Sequence, residues 1–181
     1  MQPRIPRQSV GEQALGPRAD TAATLTAELA AVVTAARRRA VRDGDRQIDT
    51  AHLLHSLLEY DPDVRAVFDD GPEIARLLGY LVQRSIGYGL RWQGSVEDSG
   101  AIPVAKESEG LSPLAAGAMG DACDRAAHRG DEPACGVDLL AALVVDPQAR
   151  AVEVLDRAGI DRHEVTARVE DFLSQSGSSS R

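Results

Sequence analysis

Residues 49–62 read DTAHLLHSLLEYDP, and residues 135–147 read CGVDLLAALVVDP, one position shorter. Each stretch sets a Leu-Leu pair four residues after a turn, repeats Leu three places on, and closes on Asp-Pro. Leu53, Leu54, Leu57 and Leu58 recur at helical spacing, and Leu139, Leu140, Leu143 and Val144 do the same. Steps of three and four place such residues on one face of an α-helix. Asp-Pro ends that helix and opens another, because proline has no N–H to continue the ladder yet suits a first turn.

The likeness extends outward on both sides. Upstream, Leu25, Leu29, Val32, Val33, Ala36 and Ala40 form one apolar stripe that stops at Gly44, a residue suited to the left-handed C-terminal position. The counterpart opens at Ser112-Pro113, runs to about Arg129 and closes at Gly130. Shifting the chain by 86 residues pairs positions 25–58 with 111–144 and gives 10 identities in 34 pairs. These include Gly44-Asp45 with Gly130-Asp131, and Arg39-Ala40 with Arg125-Ala126. After a one-residue gap, Arg65-Ala66-Val67 pairs with Arg150-Ala151-Val152. Such self-similarity marks a duplicated unit. Thr50 is expected to cap the short Leu-rich helix, and Asp146-Pro147 to start the next one. A fourth helix should carry Ile74, Leu77, Leu78, Leu81, Val82 and Ile86. In the second unit, Asp161 and Glu164 have capping-box spacing before Val165, Val169, Phe172 and Leu173.

The reading is all-α: two four-helix repeats, residues 23–86 and 111–173, packed with pseudo-twofold symmetry. Residues 87–110, rich in Gly and polar side chains, are expected to form a linker. The ends, 1–22 and 174–181, are expected to be disordered tails.

Composition bounds the function. The chain has 181 residues, net charge −8, 43% hydrophobic residues and only 3% aromatics. Its core must therefore be built from Ala, Leu and Val. An acidic chain lacks the basic face that drives nucleic-acid binding. Of 20 basic residues only Lys106 is lysine, and Glu107 follows it, so there is no phosphate-binding Gly-Lys-Ser/Thr loop. Neither a secretory signal nor a membrane-spanning run is present, and Cys123 and Cys135 read as free thiols. A cytoplasmic protein is expected, with no nucleic acid, membrane or cofactor among its partners.

Catalytic and metal signatures are weak. His52 and His55 stand three apart on one helix, but no carboxylate or Cys supplies a third ligand at clear spacing, so packing is the expected role and no metal site is assigned. Cys123, His128 and Cys135 are too loosely spaced for zinc. His163-Glu164 lacks a second His, because Ala167 stands at that place. Asp69-Asp70 reads as a solvated helix end. Arg37, Arg38, Arg39 and Arg42 spread around a helix as a solvated face, with contact to an anion or acidic partner as the alternative, and Tyr88 and Trp92 staple the linker or anchor a partner. No enzyme is expected.

The duplicated order of landmarks resembles the double-repeat N-terminal domain of Clp ATPases. In that family each repeat opens on an aromatic or Leu, then Thr and often Pro, and a Gly-Thr-Glu-His-Leu-Leu motif starts the second helix. Leu25-Thr26 and Leu111-Ser112-Pro113 fill the openings here. Asp49-Thr50-Ala51-His52-Leu53-Leu54 matches the later motif closely, and Cys135-Gly136-Val137-Asp138-Leu139-Leu140 in outline. The resemblance implies a non-catalytic binding module of the Clp chaperone–protease system, an adaptor, regulator or substrate-recognition domain of regulated proteolysis. Its partners would be Clp ATPase or protease components, protein substrates or peptides. The alternative it implies is a decoy that sequesters cyclic-peptide natural products aimed at a full-length Clp ATPase. In some members the motif Glu of each repeat pairs with the guanidinium of phosphoarginine; here those positions are Ala51 and Val137, so both acidic partners are missing. A second family surface, beside the starts of the two long helices, takes cyclic peptides. It maps to Leu111, Ser112, Pro113 and Ala116, with Val33, Thr34 and Arg37 across a groove; separately from the family surface, Trp92 of the linker is expected to add specificity to ligand binding.

Overall fold

The computed structural model describes residues 25–69, 71–88, 95–97, 110–130 and 133–178. They form eight α-helices: α1 (Ala27–Asp43), α2 (Thr50–Tyr60), α3 (Pro62–Val67), α4 (Pro72–Gln83), α5 (Pro113–Arg129), α6 (Gly136–Leu143), α7 (Arg150–Arg157) and α8 (Arg162–Ser178). A π-turn, Arg84–Tyr88, extends α4. Residues 1–24, which include the whole of the expected N-terminal tail, lie outside the described residues.

Local chemistry sets the helix ends. The Thr26 and Ser112 hydroxyls accept hydrogen bonds from the Leu29 and Ala115 amides, both at 3.1 Å, and so cap α1 and α5. Gly44 and Gly130 close the same helices at φ 75° and 76°, backbone that a side chain would strain.

The two repeats pack as mates. Helices α1 and α2 pair within the first, and α5 and α6 within the second. Across the repeats α2 meets α6 on the axis, α2 meets α5 as α6 meets α1, and α2 meets α7 as α6 meets α3. The outer helices follow suit, α4 against α7 and α8 against α3. Two parallel backbone bridges complete the symmetry, Ile48 to Leu111 and Leu25 to Ala134. The buried core is mostly Leu, Val and Ala, with Phe68 its largest fully buried side chain. Each fully buried Leu contributes roughly 1.5–3 kcal/mol, so central α2 and α6, with Leu53, Leu54, Leu57, Leu58, Leu139, Leu140 and Leu143 all inside, anchor both repeats.

Several expectations need correcting. The N-cap of α2 is Asp49, not Thr50; its carboxylate accepts from the His52 amide at 2.8 Å. Helix α7 starts at Arg150 rather than at Pro147, because Asp146 is engaged with the Gln148 amide in a turn. Helix α8 runs past residue 173 to Ser178, with the Ser174 and Ser176 hydroxyls donating to the Glu170 and Phe172 carbonyls. The expected linker also contributes to the interior: Glu97 is buried, and Gly110 accepts from the Ile48 amide at 2.7 Å.

Candidate functional site

The starts of α2, α5 and α7 converge on one polar junction between the repeats. Glu97 binds all three. Its carboxylate accepts from the Thr50 amide at 2.9 Å, the Ser112 hydroxyl at 2.8 Å, the Arg150 amide at 2.7 Å and the Thr50 hydroxyl. A carboxylate suits this place, because the first amides of a helix carry partial positive charge and have no partner within the helix. The Thr50 hydroxyl also accepts from the Ala151 amide at 3.0 Å, tying α2 to α7.

Asp49 is the second centre. Its carboxylate accepts from Arg150 at 2.7 Å and Arg84 at 2.5 Å, and lies 2.8 Å from His52 Nδ1. Burial alone would raise its pKa, but His52, Arg84 and Arg150 outweigh that and hold it well below the usual carboxylate range. Arg150 also donates to the Ser95 carbonyl at 2.9 Å and hydroxyl at 2.8 Å. Beside these groups lies a polar cavity of about 260 Å3, whose lining includes Asp45, Gln47, Val96 and Arg150.

The anticipated groove residues divide. Leu111 and Val33 are half-buried and pack on the edge of the core, leaving part of each side chain at the surface. Thr34 and Arg37 are exposed on α1, and the Thr34 hydroxyl donates to the Ala30 carbonyl at 2.9 Å. Pro113 is exposed and Ala116 half-buried on the first turns of α5. Ser112 is different: it is 1% exposed, and its hydroxyl already caps α5 and donates to Glu97, so it braces the groove from beneath. Trp92 lies outside the described residues, as does the side chain of Tyr88. Ala51 and Val137 are both buried, so neither motif position offers a carboxylate.

A smaller cavity of about 150 Å3 was not anticipated. It lies between α5 and the turn after α6, lined in part by Leu114, Gly117, Ala118, Leu143 and Val145. Gly117 and Ala118 on α5, which line it, carried no signal in the sequence beyond their place in the expected helix.

Symmetry also reveals a swap of charge. At the position equivalent to Asp43 the second repeat has Arg129, and at that of His52 it has Asp138. Arg129 and Asp138 form a two-pronged ion pair, with Nη2 to Oδ2 at 3.0 Å. Cys135 donates its thiol to the same carboxylate at 3.3 Å, so it serves the helix start, and neither Cys123 nor Cys135 is in a disulfide. In the first repeat His52 Nε2 faces Asp45 Oδ2 at 3.1 Å and Asp43 Oδ2 at 3.7 Å. This corrects the expectation that no carboxylate joins His52; the Gly44 turn brings both acids back over α2. His55 is not part of that group.

No family model matches the sequence, and no curated protein matches it. Among solved structures, the N-terminal domain of the caseinolytic protease associated chaperone ClpD from Arabidopsis thaliana superposes with a TM-score of 0.59. The match covers 83% of this chain and 95% of that domain, at 19% sequence identity. Among the described residues no helix is long and apolar enough to cross a membrane. The likeness is one of fold, and it fits the paired repeats found above: the chain has the all-α, double-repeat fold of a Clp N-terminal domain.

Proposed function

We propose that the chain is a non-catalytic protein- or peptide-binding module of the Clp chaperone–protease system, working as an adaptor, regulator or substrate-recognition domain in the cytoplasm. The observation that carries this reading is the double-repeat Clp N fold, which is similar to the N-terminal domain of a protease-associated chaperone. In this reading a ligand docks at the helix-start surface. Leu111, Val33, Pro113 and Ala116 supply apolar contact, and Thr34, Arg37 and Trp92 supply specificity. Ser112 holds the start of α5 in place below them. The polar groups of the junction are engaged in caps and ion pairs, which supports binding rather than acid–base catalysis.

The test is affinity capture. The purified chain is immobilised, exposed to host lysate, and the retained proteins are identified by mass spectrometry. The reading expects recovery of a Clp ATPase or protease subunit in amounts comparable to the bait. Retention of nothing, together with a rise in melting temperature when cyclic peptides are added, would overturn it in favour of the decoy alternative.

A further inference from the structure

We propose that Asp43, Asp45 and His52 form a site for a single divalent transition ion of the zinc class. Their donor atoms, Asp43 Oδ2, Asp45 Oδ2 and His52 Nε2, all lie within 4.8 Å of one another. A tetrahedral zinc bound at about 2.0–2.1 Å holds its ligand atoms roughly 3.3 Å apart. The observed separations from Nε2, 3.1 Å and 3.7 Å, bracket that value. One imidazole and two carboxylates suit such an ion better than calcium or magnesium, which prefer all-oxygen shells.

A second observation points to a ligand. His52 is 0% exposed, and its Nε2 has no aligned hydrogen-bond partner although two carboxylates face it. Buried polar atoms are nearly always paired, so an orphan aimed at two acids needs an explanation. The ring is also held as a ligating histidine is held. Nδ1 lies 2.8 Å from Asp49 Oδ1, so the tautomer with its proton on Nδ1 donates to that carboxylate and turns the Nε2 lone pair toward Asp43 and Asp45. In the ring's other tautomer Nδ1 accepts from the Asp49 amide at 3.1 Å, and the proton sits on Nε2. Loading an ion selects the first tautomer.

Other groups also contact the two carboxylates. Ser85 donates to Asp43 Oδ2 at 3.0 Å, Arg42 stands 3.8 Å from Asp43 Oδ1, and Arg84 stands 3.5 Å from Asp45 Oδ2. Each carboxylate retains lone pairs beyond these contacts. Asp45, 26% exposed at its side chain, opens on the polar cavity of about 260 Å3, which gives an entry path and space for a water as fourth ligand. Among the described residues the second repeat holds no such group: Arg129 fills the place of Asp43 and pairs with Asp138.

The experiment uses the full chain, stripped with chelator and titrated with zinc against a fluorescent zinc indicator, and separately with cobalt read by its visible d–d bands. One equivalent of zinc is expected. Asp45→Asn, which touches no cap, should weaken it at least about tenfold, as should Asp43→Asn. A Cys123→Ser/Cys135→Ser chain should bind as the wild type does. Circular dichroism of each variant separates lost ligation from lost folding. No binding by the folded wild type would overturn the proposal. So would binding that survives both Asp variants or disappears with the cysteines.

Discussion

Replacing Gly136 by Ala tests how the two repeats lock together. Gly136 is the first residue of α6, and a Cβ there would lie 1.9 Å from Asp61 Oδ2, 2.8 Å from Asp61 Cγ and 3.1 Å from Leu57 Cδ2. The Asp61 carboxylate cannot retreat freely. It is buried, and its Oδ1 caps α3 by accepting from the Asp63 amide at 3.0 Å and the Val64 amide at 3.1 Å. Displacing it forfeits the cap, about 1 kcal/mol, and forces repacking of a close interface, about 1–3 kcal/mol. Relief of glycine's backbone entropy returns roughly 0.5–1 kcal/mol. The net expectation is a loss of about 2 kcal/mol. Urea unfolding followed by circular dichroism should show a lower midpoint at unchanged slope. The decisive comparison is a double-mutant cycle. In an Asp61→Ala background only the tip of Leu57 remains near the new methyl, so Gly136→Ala should then cost close to nothing. Strict additivity of the two substitutions would refute the argument that Asp61 occupies the space a side chain would need.

Other consequences follow from the polar junction and the core. Glu97→Ala should destabilise the fold by about 2–4 kcal/mol in the same assay, because it strands the Thr50 and Arg150 amides, with water from the adjacent cavity offsetting part of the loss. His55 is buried, and burial, with Arg39 and Arg42 of α1, His52 and Arg84 nearby, pushes its pKa down to about 3. The unfolded chain, with an ordinary histidine near 6.5, binds the proton more readily, so stability falls as pH falls through that window. Between pH 7 and 5 the loss from this group is about 2 kcal/mol, and a His55→Leu chain should show an acid slope shallower by that amount. Val33→Asp/Leu111→Asp should leave the helical spectrum intact, since both side chains sit at the edge of the core, while reducing partner capture at least about tenfold.

What the sequence disclosed, and what it did not, follows the range of the forces involved. The apolar stripes, Gly44 and Gly130, Thr26 and Ser112 are local signals, and the duplication doubled each of them. The start of α2 was misplaced by one residue because Asp and Thr are both good caps, and only the geometry of His52 favours Asp49. Glu97 gave no signal, because its partners Thr50, Ser112 and Arg150 are 47, 15 and 53 positions away. The same contact explains why Ser112, read as a surface residue, lies beneath it. Asp43 and Asp45 flank the Gly44 at which the first helix was expected to stop; the left-handed Gly44 between them carries both onto His52, and spacing along the chain does not encode that. Leu111 and Val33 were legible as apolar positions, whereas their partial exposure depends on the packing of both repeats.

We propose a docking surface for the Clp machinery at the helix starts around Leu111 and Val33. Its most direct test is a side-by-side capture from host lysate with the wild type and the folded Val33→Asp/Leu111→Asp variant, scored for Clp ATPase and protease subunits. Near-stoichiometric recovery by the wild type and loss by the variant are expected. Equal recovery by both, or a Clp subunit absent from both, would contradict it.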